Sequence, residues 1–391
     1  MAREIQRIWR RSKKAPASIM LVCACILGTV ISGQIAYADD HESGRGYVDA
    51  NGAVHIPAEI IPLSSFMSPQ AKQAFIRLFA HTPVAQPMNG PIGPLRAYFH
   101  KYNVALVARD EARYSVLISK RIIDGVPVEV IVPRDGVASR NRDRVLLNLH
   151  GGGFLWGGGG AGGEVESIPI AAVGKIEVVA VAYRQGPEYK FPAASEDVAA
   201  VYHALLKRYP ARNIGIYGCS AGGMLTAESM AWFEKVKLPL PGAIGTFCGS
   251  ASPFGGDSAY VDPGLVAQPP LPGSKTGGLS FTPYFSAVSL SDPLVFPTKS
   301  RRVLSKFPPT LLIAGSRDFT VSSMFRTQQA LTNVGVDAEL HVWDGMWHAF
   351  FMDPDLPESR QMYQVVATFF DHHLGWRPRR EGPHSGGASG E

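Results

Sequence analysis

Residues 218–222 read Gly-Cys-Ser-Ala-Gly and place Ser220 at the centre of the pattern G-x-S-x-G. Acyl transfer needs a serine oxygen that is presented at a sharp turn between a strand and a helix. The two glycines leave room for such a turn, and the start of the following helix adds positive potential where an acyl-transfer intermediate carries negative charge. The pattern predicts that Ser220 is a nucleophile; the alternative is a tight turn whose serine has no chemical role.

A second glycine-rich segment could supply hydrogen-bond donors to the same reaction. Residues 150–154 read His-Gly-Gly-Gly-Phe and directly follow the apolar run 145–149. Consecutive glycines let backbone N–H groups point into a pocket, as an oxyanion hole requires; the alternative is a flexible loop. Gly157, Gly159 and Gly162 also match G-x-G-x-x-G, but a run this rich in glycine matches most glycine motifs, and no P-loop lysine follows.

A nucleophilic serine needs a base, and we predict that His348 is this base. It lies in a loop after the last predicted strand and before the last predicted helix. The nucleophile becomes reactive when an adjacent base can take its proton. Other histidines are less suitable, because His341 falls within a strand and His372 and His373 lie near a polar tail.

The base in turn needs an acid to orient it, and we predict that this acid is Asp318. Asp318 follows the predicted strand 310–314 at its C-terminal end. The chain order Ser220, Asp318, His348 is the order of serine hydrolases that carry a strand-turn-helix elbow. Asp344 stands before a glycine and is typical of a turn. The further competitors are Asp292 and Asp353.

Strand-like and helix-like segments alternate from about Tyr114 onward. This alternation predicts an α/β fold with a mostly parallel central sheet that is covered by helices on both faces. The predicted strands are 126–133, 145–149, 178–182, 213–217, 243–247, 310–314 and 339–342. The predicted helices are 194–206, 222–232, 324–331 and 359–370, together with an earlier helix that begins at Pro69 behind a Ser68 cap.

Composition divides the chain into four segments. We expect a signal peptide at 1–38, an N-terminal segment at 39–113, a catalytic domain at 114–376 and a disordered tail at 377–391. Residues 250–290 interrupt the alternation and are rich in Gly, Pro and Ser. A stretch of this length inside a compact domain predicts a lid or a binding loop.

The basic excess of the chain lies at its N-terminus. The formal net charge is +5, and six Lys or Arg residues face one Glu within the first fourteen residues, so the remainder is formally neutral. This argues against a nucleic-acid partner, which would need many cations that face phosphates. An apolar run at 19–31 and the small-residue sequence 36–38, Ala-Tyr-Ala, follow. Together they predict a signal peptide that is cleaved after Ala38.

We therefore expect export to the periplasm or the medium, and no stable membrane span after cleavage. The alternative is a retained anchor, but the apolar run is shorter than the roughly 20 residues of a spanning helix. Cleavage would leave Cys219 and Cys248, which could pair in an oxidising compartment. Their positions in or beside apparent core strands favour buried, unpaired thiols.

Residues from about 145 to 351 resemble the hormone-sensitive lipase family of esterases and lipases. The matching residues are 150–154, 183–188 (Tyr-Arg-Gln-Gly-Pro-Glu), 191–193 (Phe-Pro-Ala), the elbow around Ser220, Asp318 and 347–350 (Trp-His-Ala-Phe). The resemblance implies the α/β-hydrolase fold and a serine esterase that hydrolyses small-molecule carboxylic esters of short to medium acyl chains through an acyl-enzyme. This chemistry needs no metal or organic cofactor.

The resemblance also implies roles for backbone groups. It implies that the N–H groups of Gly152, Gly153 and Ala221 form the oxyanion hole, and that His150 shapes their loop without being the base. It further implies a lid to which the N-terminal segment 39–113 and the chain after the strand 243–247 both contribute.

Position 219 is where the chain departs from this family. The family usually carries Asp immediately before the nucleophile, whereas this chain carries Cys219. An acidic side chain there can hydrogen-bond around the oxyanion loop, and cysteine does so poorly. We therefore expect an intact triad, and a difference from the family in loop rigidity and in substrate range.

The same triad could also hydrolyse lactones, amides or the long-chain esters of a lipase. A ligand-binding protein that keeps the fold without turnover is a further alternative. Such a protein would be free to lose His348 or Asp318, and both are present. The sequence leaves the natural substrate and the oligomeric state open.

Overall fold

Strands and helices alternate along the chain in the computed structural model, which describes residues 46–80, 91–158, 160–268, 282–289 and 291–375. The strands are β1 (Tyr47–Val48), β2 (Val54–His55), β3 (Val116–Ile123), β4 (Val126–Pro133), β5 (Val145–Leu149), β6 (Glu177–Val181), β7 (Ile214–Cys219), β8 (Ala243–Phe247), β9 (Thr310–Arg317) and β10 (Ala338–Trp347). The helices are α1 (Pro69–Phe79), α2 (Ile92–Arg113), α3 (Ala161–Gly174), α4 (Ala193–Leu206), α5 (Ala221–Val236), α6 (Ser258–Leu265), α7 (Arg301–Leu304), α8 (Val321–Thr332) and α9 (Pro357–His373).

The strands from β3 to β10 form one sheet in the order β10-β9-β8-β7-β5-β6-β4-β3. The six strands from β5 to β10 pair in parallel, whereas β4 is antiparallel to both β3 and β6. Every residue of β5, β7 and β8 is buried. Strands that are covered on both faces read as nearly continuous apolar runs, which is the pattern that the sequence showed. The prediction of a mostly parallel sheet is confirmed.

Helices cover both faces of this sheet. On one face, α4, α5 and α8 pack through a cluster that includes Leu147, Ile216 and Leu225. On the other face, α3 and α9 pack through a cluster that includes Leu146 and Phe370. Side chains alternate between the faces of a strand, and the neighbours Leu146 and Leu147 accordingly belong to different clusters. The predicted covering of both faces is confirmed.

The elements around the serine run closer to it than the sequence predicted. The strand β7 extends to Cys219 and the helix α5 begins at Ala221, so that Ser220 alone forms the turn. The apolar signal ended before Gly218, and the helix signal began only at Gly222. Glycine is unfavourable in both strands and helices, and its presence shortened both predictions.

The helices α2 and α3 were not predicted. α2 follows a proline-rich stretch and has Pro94 in its first turn, where the missing N–H would have no intrahelical acceptor in any case. α3 begins Ala-Gly-Gly, contains Pro169 and is buried at most of its positions. Its start read as a continuation of the glycine-rich loop, because small residues there serve close packing rather than helix propensity.

The described part of the predicted lid insertion packs against the glycine-rich loop. Residues 250–268 and 282–289 contain α6 and a 3-10 turn at Pro283–Phe285. Tyr284 is fully buried, and its ring stacks on Phe154 with centroids 4.9 Å apart. Its hydroxyl accepts a hydrogen bond of 2.8 Å from the backbone N–H of Ala194. Residues 269–281 and 290 lie outside the described residues, and the lid stays a prediction.

A small unit precedes the sheet domain. Among residues 46–60, β1 and β2 form an exposed antiparallel hairpin. The predicted signal peptide at 1–38 and the predicted tail at 377–391 lie outside the described residues, and the domain boundaries stay predictions. Within the described chain, no helix combines the length and the apolar character that crossing a bilayer requires.

Candidate active site

The turn between β7 and α5 consists of Ser220 alone. Its backbone has φ 56° and ψ −118°, values that non-glycine residues rarely adopt. A Cβ atom at Gly222 would lie 1.7 Å from the carbonyl oxygen of Leu149, and one at Gly218 would lie 2.2 Å from the same oxygen. The elbow is therefore pressed against the C-terminal end of β5, and only glycine fits on either side. This contact is the physical reason for both glycines of the motif.

The three side chains that the sequence predicted as a catalytic set lie together at one edge of the sheet. Asp318 directly follows β9, and His348 directly follows β10. The Nε2 atom of His348 is 3.0 Å from the Oγ atom of Ser220, and its Nδ1 atom is 2.9 Å from Oδ1 of Asp318. Both distances are within hydrogen-bond range, so the three side chains form a continuous relay.

Asp318 is held in its ionised form. The carboxyl is fully buried, and burial by itself raises its pKa, but His348 and the hydrogen bonds that the carboxyl accepts outweigh burial and hold the pKa below its ordinary value. Its Oδ1 atom accepts hydrogen bonds of 2.9 Å from the backbone N–H and from the hydroxyl of Thr320. On the other side, the ring of Phe319 stacks against His348 with centroids 4.6 Å apart. A fixed anion and a fixed ring together set the orientation of the imidazole.

The loop after β5 has a backbone conformation that leaves no space for a side chain at Gly152. Gly152 and Gly153 have φ 118° and 60°, and a Cβ atom at Gly152 would lie 2.0 Å from the carbonyl oxygen of Trp156. Within the described residues, no hydrogen bond uses the backbone N–H of Gly152, Gly153 or Ala221. Ala221 is the first residue of α5, where an N–H has no intrahelical acceptor. The three N–H groups that the resemblance implies as oxyanion donors therefore have no protein acceptor within the described residues.

His150 has the surroundings of a structural residue. It is buried, its ring stacks on Tyr183 with centroids 4.3 Å apart, and its Nδ1–H donates a hydrogen bond of 2.6 Å to the carbonyl oxygen of Gly151. The hydroxyl of Tyr183 donates to the carbonyl oxygen of His150 at 2.7 Å. Burial lowers the pKa of His150 to about 4, which keeps the ring neutral. These contacts agree with the expectation that His150 shapes the loop.

The competing acids and bases bind other partners. Asp344 accepts a hydrogen bond of 3.1 Å from the hydroxyl of Ser316, and Asp353 forms an ion pair with Arg109. Asp292 accepts a hydrogen bond from a backbone N–H two residues further along. The remaining histidines considered as bases are His341 on β10 and His372 and His373 at the end of α9.

Cys219 and Cys248 are free and buried, and the expectation of unpaired thiols is confirmed. The Sγ atom of Cys248 accepts a hydrogen bond of 3.3 Å from the backbone N–H of Ala349. One possible ligand atom from each of Cys248, Asp318 and His348 lies within 4.8 Å of the other two, and the described part of the chain holds no second group of this kind. Burial raises the pKa of the Cys248 thiol well above its ordinary value. A protonated thiol is a poor metal ligand, so Cys248 is a neutral neighbour of the relay.

Glu166 is a buried acid beside the site that the sequence analysis missed. It lies on α3, and its carboxylate accepts hydrogen bonds from the backbone N–H groups of Gly151 at 2.7 Å and of Cys219 at 3.2 Å. The chain therefore lacks a carboxylate at position 219, but the carboxylate of Glu166 is bonded both to the loop after β5 and to the elbow. The signal that could have found Glu166 is the presence of an acid among the small and apolar residues of 161–174. Acids are rarely buried without partners, so an acid in a buried segment indicates that hydrogen-bond donors lie beside it.

The chain is similar to known hydrolases over most of its sheet domain. Residues 146–352 match a family model described as α/β hydrolase fold. An acetyl-hydrolase from Streptomyces hygroscopicus is 28% identical over 233 residues, which cover 59% of this chain and 76% of that protein.

Solved structures of esterases are also similar to this chain. The crystal structure of the esterase E25 shares 30% identity and a TM-score of 0.67, and the match covers 81% of this chain and 99% of that one. The crystal structure of an esterase from the bacterial hormone-sensitive lipase family shares 26% identity and a TM-score of 0.66, over 79% of this chain and 99% of that one.

The substitution Gly222→Ala is expected to destabilise the fold. The new Cβ atom would lie 1.7 Å from the carbonyl oxygen of Leu149, so the elbow and the end of β5 must move apart. Overpacking of this kind costs about 1–3 kcal/mol, which equilibrium unfolding in urea would measure.

Gly93→Ala is the matched control, because a Cβ atom at Gly93 meets nothing within 4 Å. We expect its free energy of unfolding to stay within about 1 kcal/mol of the parent. Equal stability of the two variants would contradict the close approach of the elbow to β5.

Proposed function

The chain belongs to the α/β-hydrolase fold family and, within it, to the bacterial hormone-sensitive lipase family of carboxylic ester hydrolases, and we propose from this premise that Ser220, His348 and Asp318 are its catalytic triad. The observation that carries the proposal is the pair of contacts at His348, 3.0 Å to the Ser220 hydroxyl and 2.9 Å to the Asp318 carboxylate. One imidazole lies between a nucleophile and an orienting acid, which is the arrangement that acyl transfer uses.

The proposed reaction passes through a covalent acyl-enzyme. The Nε2 atom of His348 takes the proton of Ser220 while the serine oxygen attacks the ester carbonyl carbon. The imidazolium then gives this proton to the leaving alcohol, and the C–O bond of the ester breaks. Water, deprotonated by the same imidazole, attacks the acyl-serine and releases the acid. Asp318 stabilises the imidazolium in both halves of the cycle without taking its proton.

Backbone N–H groups stabilise the charge that develops on the carbonyl oxygen. We assign this role to Gly152, Gly153 and Ala221, whose N–H groups have no other acceptor within the described residues. Donors that are already in place need no reorganisation when the oxyanion forms, and each is typically worth a factor of about 10²–10³ in kcat.

The substitution Ser220→Ala is expected to lower kcat for 4-nitrophenyl acetate by roughly 10⁴-fold or more, because no other nucleophile can form the acyl-enzyme. The variant should also lose labelling by a fluorophosphonate probe. Ser305→Ala, which changes an exposed serine after α7, serves as the control and should match the parent. Persistent turnover in Ser220→Ala, with the fold intact by circular dichroism, would show that another group is the nucleophile.

The substrates are proposed to be esters of short to medium acyl chains, which the name of the acetyl-hydrolase relative supports. In a series of 4-nitrophenyl esters, we expect kcat/KM to be highest between acetate and hexanoate and about tenfold lower for dodecanoate, because an acyl site that fits a short chain excludes the rest of a dodecanoyl chain sterically. A kcat/KM that keeps rising to dodecanoate would indicate a lipase. Faster turnover of lactones or anilides than of any ester would favour the alternative substrates.

Export is part of the proposal, on the evidence of the basic, apolar and small-residue segments of residues 1–38. N-terminal sequencing of the protein secreted by a bacterial host is expected to begin at Asp39. Ala38→Arg should block processing, because the cleavage site needs small residues, and should leave the precursor in the membrane fraction. Recovery of the parent chain with its first 38 residues attached would contradict export with cleavage.

A further inference from the structure

Glu166 is a buried acid whose two carboxyl oxygens accept three hydrogen bonds. The residue is 4% exposed and lies on the face of α3 that packs against the sheet. Its Oε1 atom accepts from the backbone N–H of Gly151 at 2.7 Å, and its Oε2 atom accepts from the side-chain amide of Asn148 at 3.0 Å and from the backbone N–H of Cys219 at 3.2 Å. The three donors belong to β5, to the loop after it and to the end of β7.

We propose that Glu166 is a positioning residue of the esterase, whose carboxylate holds the oxyanion loop and the nucleophile elbow at a fixed separation. This inference rests on the proposed function, because it concerns the same oxyanion donors. It assigns to α3 the carboxylate that the family carries at the position of Cys219.

The donors stand one residue before the groups that act on the substrate. Gly151 directly precedes Gly152, and Cys219 directly precedes the pair Ser220 and Ala221. A hydrogen bond to the N–H of Gly151 restrains the peptide plane that precedes Gly151, and a hydrogen bond to the N–H of Cys219 does the same ahead of Ser220. One carboxylate therefore constrains both segments that make up the predicted oxyanion hole.

The loop and the elbow are in direct contact above this carboxylate. A Cβ atom at Gly151 would lie 3.1 Å from the carbonyl oxygen of Cys219, 3.4 Å from Oε1 of Glu166 and 3.4 Å from Cβ of Ser220. At this junction between the loop and the elbow, a side chain at Gly151 would therefore meet both the elbow and the carboxylate. A displacement of either segment would change the distance between the N–H groups of Gly152 and Ala221, and so weaken their joint hold on an oxyanion.

The three hydrogen bonds that Glu166 accepts favour its ionised form. Burial raises the pKa of Glu166 to about 8, although the hydrogen bonds from Asn148, Gly151 and Cys219 each lower it. A carboxylate can accept all three bonds, whereas the amide of glutamine must turn an NH₂ group towards at least one of the donors. The comparison of the two side chains is therefore best made at pH 9.

The carboxylate of Glu166 is not the only group that attaches α3 to the sheet. The hydroxyl of Tyr217 donates a hydrogen bond of 3.1 Å to the backbone carbonyl of Glu166, and Val165 and Ile168 lie in the hydrophobic cluster on this face together with Cys219. Packing thus holds the helix whether or not the carboxylate is present. It also places the side chain of Cys219 on the same face of the sheet as that of Glu166.

The first test is Glu166→Gln, assayed on 4-nitrophenyl acetate at pH 9. We expect kcat to fall about 30-fold or more with KM changed less than about threefold, because the oxyanion is fully formed only in the transition state. Binding of an alkyl trifluoromethyl ketone, which forms a tetrahedral adduct with the serine, should weaken by the same factor as kcat. Glu164→Gln is the matched control on the same helix, and its kcat should stay within about twofold of the parent.

The second test moves the carboxylate to the other side of the junction. Cys219→Asp alone should lower kcat, because two buried carboxylates then face each other. The double variant Glu166→Gln with Cys219→Asp should recover at least about tenfold over Glu166→Gln, since one carboxylate again serves the junction. A role in packing alone predicts no such recovery.

Three results would overturn the inference. They are a kcat for Glu166→Gln within twofold of the parent, an unchanged affinity for the trifluoromethyl ketone, and a double variant no more active than Glu166→Gln. If Glu166→Gln does not fold, the double variant decides, and its failure to fold would make Glu166 a structural residue. An active parent with any of these results leaves the proposed function standing, whereas a parent inactive on all esters contradicts the proposed function itself.

Discussion

The contact between the elbow and the end of β5 is the constraint on which the rest of the site depends. The carbonyl oxygen of Leu149 occupies the space that a side chain at Gly218 or Gly222 would need. This contact holds Ser220 in a strained backbone conformation and sets the first turn of α5 beside the loop that leaves β5. The predicted nucleophile and the predicted oxyanion donors are therefore fixed by one steric interaction. Groups that are fixed in advance lose little entropy when a substrate binds.

Parallel pairing supplies the remaining members of the site from distant parts of the chain. Ser220 and His348 are 128 residues apart in sequence, yet β7, β9 and β10 end at the same edge of the sheet. The exposure of the relay is graded, because the side chain of Asp318 is fully buried while that of His348 is 27% exposed. Because the carboxylate of Asp318 is shielded from water, its negative charge interacts more strongly with the partly exposed imidazole of His348.

The sequence predicted those parts of the site whose constraints are local. The glycines at 218 and 222, the strand before them and the helix after them follow from the turn that Ser220 needs. α3 was missed because its composition answers a tertiary demand, since a Cβ atom at Gly163 would lie 2.7 Å from the side chain of Ala180. Glu166 was missed with it, because its hydrogen bonds to Gly151 and Cys219 form only once the chain is folded. A departure at one position of a motif can therefore be offset by a residue that lies outside the motif.

The two histidines of the site show how surroundings decide a role that residue type leaves open. His150 is buried against Tyr183, and burial lowers its pKa to about 4. His348 lies between Ser220 and Asp318 and keeps part of its ring in contact with solvent. A general base must become an imidazolium during the attack, and that cation is stable only beside an anion or in water. His348 lies beside an anion and is partly exposed to water. His150 is buried, and its Nδ1–H donates to the carbonyl oxygen of Gly151. The carboxylate of Asp318, which His348 contacts and His150 lacks, is what suits one of these two rings to the proposed role of base.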